Sequence, residues 1–171
     1  MKAVLDRLDT TGCVVTTAFE GRRDGCYVSF IAPCSMDPAR LLVLTSHANL
    51  THELVERSGV LAAHLVARGQ EAWIDRFGHE TGRDVDKFAA IPWQPGVTGA
   101  PILDDAVGYI EGRVLDSLNC GDHTARLVEP LAARLRDPAA VPLTVFELFA
   151  RGLVTPAARL GNPWAEFRPQ R

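Results

Sequence analysis

Runs of apolar and β-branched residues dominate the first half of the chain and predict strands. Residues 13–19 form one such run, and residues 26–31 form a second. The stretch between them, residues 20–25, holds two glycines and four charged residues, a composition typical of turns. These two runs therefore predict a β-hairpin.

Further strands are predicted along the rest of the chain. Pro33 and Pro38 bracket a predicted loop, because proline cannot donate a hydrogen bond to a central β-ladder. Gly108 and Gly112 share one face of a later strand, which indicates a bend or a close approach by another group. The predicted strands are residues 40–45, 60–66, 107–115, 124–128 and 143–148, the last of which also has the spacing of a helix.

Helical patterns are few. Leu50 and Leu54 share one face of a helix predicted over residues 50–57, with Asn49 as its N-cap and Gly59 as its end. Short helical segments are predicted around residues 70–77 and 84–90, and a long loop over residues 92–101. Strict alternation of strands and helices is absent, which argues against a doubly wound parallel sheet. Many strands with few helices predict a closed or partly closed barrel, which removes exposed edges.

Composition narrows the class of protein. Hydrophobic residues make up 47% of the 171 residues and charged residues 23%, a balance typical of globular proteins and not of disordered ones. The net charge of −3 comes without a basic stripe, so no nucleic-acid partner is expected. No apolar run approaches the roughly 20 residues of a membrane helix, and the charged start does not resemble a signal peptide. We therefore expect a cytoplasmic protein with no membrane partner.

Four cysteines, at positions 13, 26, 34 and 120, show no CxxC spacing, which argues against a zinc knuckle or a redox motif. In a reducing compartment they are predicted to be small core residues. His52 begins an HExxH-like segment but Glu56 stands in place of the second histidine, and His47 and His52 would not share a helical face. No metal site is predicted.

Two segments carry candidate chemistry. Residues 46–51 contain Ser46, Asn49 and Thr51 and lead into a helix start, where backbone N–H groups and the helix dipole favour an anion such as phosphate. Alternatively, Asn49 and Thr51 only cap the helix. Residues 120–124 place His123 beside Asp122 at the mouth of a strand, where the carboxylate can orient the imidazole. Here the alternative is an ordinary turn with a solvated histidine.

Taken together, the segments resemble the flavin reductase-like, FMN-binding split-barrel family from about Leu8 to Phe149. Seven fragments occur in the order and at the spacing of that family. They are a strand ending in Thr-Thr (13–17), a Gly-to-Ser strand (25–30), a Ser-x-Asp-Pro loop (34–39), a strand and phosphate turn (41–51), Asp-Lys-Phe (86–88), Gly-x-Pro-x-Leu (99–103) and Gly-Asp-His-Thr (121–124).

The resemblance implies a fold. It is a mainly β, six-stranded antiparallel split β-barrel with Greek-key connections and a few short peripheral helices, usually a homodimer with the flavin near the subunit interface. The chain, residues 1–171, is then a single domain with a core at about 8–149 and a C-terminal tail at about 150–171.

The resemblance also implies functional residues. The backbone of Val28, Ser29 and Phe30 and the loop at Ser35 would face the isoalloxazine ring. The flavin phosphate would be held by Ser46, Asn49 and Thr51, helped by Lys87. His123 would lie where the nicotinamide approaches, with its tautomer set by Asp122.

The implied activity is that of an NAD(P)H-dependent flavin reductase. Hydride would pass from NADH or NADPH to FMN or FAD, and the reduced flavin would serve a partner monooxygenase. One alternative is an FMN-binding oxidoreductase or electron carrier that acts without free NAD(P)H turnover, which Tyr27 favours because family members have Thr there. Another is a dimeric interaction module that has lost its ligand, against which the retained Ser46, Asn49, Thr51 and His123 argue.

The chain also departs from the family pattern. Cys26 replaces a usual Met, Ala39 replaces the second Pro of the loop, and residues 128–130 lack a usual glycine. The C-terminal tail is altered as well.

Overall fold

A computed structural model describes residues 8–153 of the chain, and its main element is one antiparallel sheet. Within these residues no helix is both long enough and apolar enough to cross a membrane. The helices are α1 (Leu50–Ser58), α2 (Glu71–Ile74), which continues as a π-helical turn (Asp75–His79), and α3 (Val145–Ala150). The strands are β1 (Cys13–Phe19), β2 (Arg22–Val28), β3 (Ile31–Met36), β4 (Ala39–Ser46), β5 (Val60–Leu65), β6 (Trp93–Pro95), β7 (Pro101–Leu103), β8 (Gly108–Asn119) and β9 (His123–Leu135).

Seven strands form the sheet, in the order β2-β1-β5-β8-β9-β4-β3, and β6 pairs separately with β7. The protein is thus mainly β, as predicted, but the prediction of a six-stranded split barrel is wrong, because the sheet has seven strands and no ladder joins its edge strands β2 and β3 into a barrel. Only Ser29 and Phe30 nevertheless separate these two edge strands in sequence. Three residue steps span at most ~11 Å, whereas seven flat strands would be about 29 Å wide. The sheet must therefore curl until its edges approach each other.

The curled sheet has a separate apolar cluster on each face. Inside lie alternate residues of β1, β2, β4, β5 and β9, including Val15, Cys26 and Val43, together with Val55 of α1. The outer face of β1 and β5 packs against α2, the π-helical turn and residues 88–106, with Phe77 and Leu103 fully buried. Period-2 alternation thus sends consecutive residues of one strand into different cores.

The first hairpin is confirmed, but its turn is shorter than predicted. Phe19 pairs with Arg22, which leaves Glu20 and Gly21 as a two-residue loop with φ of 48° and 77°. Positive φ at both loop positions is the conformation whose twist matches that of the flanking strands. The charged residues that follow Gly21 therefore belong to β2.

The prediction of a loop over residues 33–38 is wrong, because β3 continues through Pro33 to Met36. Pro33 is tolerated there because β3 is an edge strand with a register irregularity between Pro33 and Ser35. Gly112 is confirmed as a close approach, since a Cβ there would lie 2.4 Å from the Glu129 carbonyl oxygen.

The predicted helix at residues 50–57 is confirmed as α1. It ends at Gly59, whose φ of 68° is the left-handed conformation expected of a C-cap. The helix predicted at 84–90 is wrong, because these residues form only turns. The strand predicted at 143–148 is wrong as well, because most of this segment lies in α3, in agreement with its helical spacing.

Two of the four cysteines are buried and two are exposed. Cys13 and Cys26 are buried as predicted, and burial raises the pKa of Cys26 to about 11. Cys34 and Cys120 are exposed, so the prediction of core positions is wrong for them. Cys34 lies on the edge strand β3 and Cys120 in the turn between β8 and β9.

His64 is a fully buried histidine that joins three elements. Its Nδ1 lies 3.0 Å from the Val14 carbonyl oxygen and its Nε2 accepts from the Leu103 amide at 3.2 Å. A neutral ring satisfies both bonds, and burial lowers the pKa of His64 to about 4. The unfolded chain binds this proton near its ordinary pKa of 6.5. Stability from His64 is therefore complete above pH 6.5 and is lost as pH falls toward 4.

We predict that the wild-type chain loses roughly 1.5 kcal/mol of unfolding free energy from this residue between pH 6.5 and pH 5. Urea denaturation at the two pH values measures this loss. His64→Gln should be less stable than wild type at pH 6.5 and should lose much less stability on acidification. An unchanged slope in His64→Gln would contradict the assignment.

Candidate functional site

The ends of β4 and β9 bring both candidate segments together. Ser46, the last residue of β4, pairs with His123, the first residue of β9. The His47 amide donates to the Asp122 carbonyl oxygen at 3.0 Å, which fixes one turn against the other. Phe30 stands edge-on to His123, with ring centroids 5.5 Å apart. The junction of β2 and β3 thus forms the third wall of the site.

The turn over residues 46–51 has free hydrogen-bond donors. Asn49 is the N-cap residue of α1 but makes no side-chain capping bond, so the capping alternative fails for Asn49. Among the described residues the amides of Leu50 and Thr51 have no acceptor, as expected for the first turn of an uncapped helix. Within the described part of the chain, the Ser46 hydroxyl accepts one long hydrogen bond, from the Ala48 amide at 3.4 Å. This combination suits an anion with several oxygen atoms.

Asp122 and His123 form a hydrogen-bonded pair, with Oδ1 2.8 Å from Nδ1. The bond to His123 is the main cause that lowers the pKa of Asp122, which is therefore a carboxylate at neutral pH. A carboxylate only accepts hydrogen bonds, so Nδ1 of His123 carries a proton. In the neutral ring Nε2 is left as an acceptor, and in the charged ring it is a second donor. Asp122 can thus orient this imidazole as predicted.

The residues expected around the flavin ring do not all lie in one place. Val28 is buried in the inner core, while Phe30 is 48% exposed. The carbonyl oxygens of Ser29 and Phe30 accept from Thr10 and Leu44, but the two amides have no acceptor within residues 8–153. Such amides can donate to the oxygen and nitrogen atoms of a flavin ring. Ser35 pairs with Arg40, six residues along β4 from Ser46, or about 20 Å.

Two of the expected phosphate ligands point into the protein. Thr51 is fully buried and its hydroxyl donates to Asp24 at 2.7 Å. Lys87 is 4% exposed, and its ammonium donates to the Gly25 carbonyl oxygen at 2.6 Å and lies 3.6 Å from Asp24. The direct phosphate contacts that the resemblance implies for these side chains remain a prediction.

Sequence reasoning missed a basic cluster beside the turn. His47 precedes α1 and does not share its face, yet its ring centroid lies 4.7 Å from that of His52. Arg126 is 2% exposed and contacts Glu56, Ser117 at 3.0 Å and His52 Nδ1 at 3.3 Å. Burial, Arg126 and His47 together lower the pKa of His52. A usable signal was present, since alternation along β9 turns Arg126 to the inner face together with Val128.

Tyr27 does not enter the site. It packs on the outer apolar cluster, whereas its neighbours Cys26 and Val28 face the inner core. Its hydroxyl lies against Gly12, where a Cβ would be 1.7 Å away. The reason for favouring a flavoprotein without NAD(P)H turnover is thereby removed.

Comparison with known proteins agrees with this geometry. Residues 5–150 match the model of the flavin reductase like domain. The chain is 30% identical to the FMN reductase (NADH) RutF of Variovorax paradoxus, over 74% of this chain and 69% of that protein. It is also 30% identical to HsaB of Rhodococcus jostii, the reductase subunit of a flavin-dependent monooxygenase, over 71% of this chain and 61% of that protein.

Solved structures show the same fold. The NADH:FAD oxidoreductase SgcE6 of Streptomyces globisporus superimposes with a TM-score of 0.75 and 25% identity, over 84% of this chain and 85% of that chain. An FMN-binding protein of Thermus thermophilus superimposes with a TM-score of 0.71 and 29% identity, over 75% of this chain and 73% of that chain. With a family match over 146 of its 171 residues, the chain belongs to the flavin reductase-like domain family.

Proposed function

We propose that this chain is an NAD(P)H:flavin oxidoreductase that transfers hydride from a nicotinamide to FMN or FAD. The observation that carries the proposal is the contact between two turns. One has free amides suited to a flavin phosphate, and the other presents the Asp122–His123 pair. Family membership and the NADH-dependent FMN reductase relative support the same activity.

The residues present fit a flavin. The Leu50 amide has no acceptor among the described residues, and the Ser46 hydroxyl has spare capacity for the phosphate. Near the ring, the Ser29 and Phe30 amides can donate to its polar edge. The half-exposed Phe30 side chain offers an aromatic edge beside His123. When bound, the flavin supplies the hydride-accepting centre, so no protein group need act as an acid.

The contacts of His123 support a role in binding the second substrate. Its ring is fixed on one side by Asp122 and on another by Phe30. Nε2 remains to contact the nicotinamide carboxamide or a phosphate of the dinucleotide. We therefore assign His123 to binding and orienting the nicotinamide, and Asp122 to positioning His123.

We further propose a cytoplasmic homodimer that supplies reduced flavin to a partner monooxygenase. The exposed thiols of Cys34 and Cys120 suit a reducing compartment. The homodimer is what the family resemblance implies. The relative HsaB, a reductase subunit of a monooxygenase, supports the partner.

Anaerobic mixing of the FMN-saturated chain with NADH, and separately with NADPH, tests the activity. We predict rapid bleaching of the oxidised flavin absorbance with at least one of the two nucleotides. Bound flavin that remains oxidised with both would contradict the reductase and favour an electron carrier or another oxidoreductase. Failure to take up FMN or FAD would favour an interaction module.

His123→Ala is predicted to raise the KM for the nicotinamide by about tenfold, the effect of one lost hydrogen bond. The dissociation constant for FMN should change less than twofold, because the phosphate turn is intact. Steady-state kinetics and flavin fluorescence titration measure the two quantities. Glu53→Gln, at an exposed position of α1, serves as a control and should leave the KM near wild type. An unchanged KM for the nicotinamide in His123→Ala would contradict the assignment of His123 to nicotinamide binding.

A further inference from the structure

A buried ion pair lies under the start of α1. Asp24 is 1% exposed and Lys87 4% exposed, and Asp24 Oδ1 lies 3.6 Å from Lys87 Nζ. The other carboxylate oxygen, Oδ2, accepts from the hydroxyl of Thr51, the second residue of α1, at 2.7 Å. Asp24 thus connects the ammonium group to the first turn of the helix.

The surrounding chain covers this pair. The Lys87 ammonium also donates to the Gly25 carbonyl oxygen at 2.6 Å. Gly82 packs so closely over the carboxylate that a Cβ there would lie 2.1 Å from Asp24 Oδ1. In this arrangement neither the Lys87 ammonium nor the Thr51 hydroxyl is free to bind an external phosphate.

The two charges have opposite effects on an anion at the helix start. The Asp24 carboxylate, one hydrogen bond from Thr51, interacts favourably with the positive end of the helix and repels a second anion there. Lys87 offsets this repulsion because its charge is opposite and adjacent. As long as both are present, the pair adds little net charge beside the turn.

We propose that Asp24 and Lys87 tune the strength of flavin phosphate binding as a compensated pair, without contacting the phosphate. They are positioning residues, and the inference rests on the proposed flavin site. The phosphate is then held by the Leu50 amide and by Ser46. A phosphate site without a direct lysine contact suits a reduced flavin that must dissociate as the product.

A charge cycle tests the inference through the dissociation constants of FMN and riboflavin, measured by fluorescence titration. Riboflavin lacks the phosphate, so it reports damage to the rest of the site. Asp24→Asn should tighten FMN about fivefold, and Lys87→Met should weaken FMN about fivefold. Asp24→Asn/Lys87→Met should bind FMN within twofold of wild type. Riboflavin binding should change less than twofold in all three variants.

The double variant separates this inference from direct phosphate binding by Lys87. If Lys87 contacts the phosphate, the double variant will lose FMN affinity as severely as Lys87→Met, which would overturn the inference. Because both charges are removed together, this variant leaves no uncompensated buried charge and remains informative if Lys87→Met fails to fold. An unchanged FMN affinity in a folded Asp24→Asn would overturn the inference as well.

Glu53→Gln provides a matched control, because Glu53 lies in the same helix but is exposed and paired with Arg83. It should change FMN affinity less than twofold, since exposed charges are screened. Failure of the wild-type chain to bind FMN, FAD or riboflavin would overturn the proposed function, and this inference with it. If the wild-type chain binds FMN more tightly than riboflavin but the cycle fails, only the inference is overturned.

Discussion

The two-residue link between β2 and β3 is the constraint on which the architecture depends. These strands are the opposite edges of a seven-stranded sheet, and Ser29 and Phe30 alone connect them. The link forces the sheet to curl and encloses the inner core. It also carries Phe30 to the ends of β4 and β9, where its ring meets His123. The same short connection therefore brings one end of each sheet edge together and builds one wall of the candidate site.

At that end of the sheet, the candidate site consists mainly of backbone dipoles and charged side chains. An uncapped helix start provides amides, and Asp24 and Lys87 lie beneath it as an internal ion pair. Asp122 holds His123 on the neighbouring turn. The chain thus offers positioned dipoles and one oriented imidazole, while hydride chemistry belongs to the flavin and the nicotinamide.

Sequence patterns predicted the turns and helix ends that depend on local backbone conformation. They failed where contacts with residues distant in sequence determine the secondary structure. The turn at Glu20–Gly21 and the C-cap at Gly59 depend on backbone conformations that sequence signals indicate. Pro33 in β3 is permitted only because β3 is an edge strand, a fact of topology. Residues 84–90 have a helical pattern but form turns. Tertiary contacts there include the bond from Lys87 to Gly25, 62 residues away.

The candidate site shows the same division. Family motifs assigned Ser46 to the flavin phosphate and Asp122 and His123 to the nicotinamide, and the β4–β9 register brings these residues side by side. The inward direction of Thr51 was not readable, because its partner Asp24 lies 27 residues earlier on another strand. Whether a hydroxyl binds a ligand or a buried protein group depends on such partners, and a local sequence pattern does not show them.

The most direct measurement is an NMR titration of the ¹⁵N-labelled chain with FMN and with riboflavin. If the helix start binds the phosphate, the amide signals of Leu50 and Thr51 will shift with FMN and stay near their free positions with riboflavin. Signals of Ser29 and Phe30 will shift with both ligands. Equal responses of Leu50 and Thr51 to both flavins, or no response to either, would contradict the assignment of this turn.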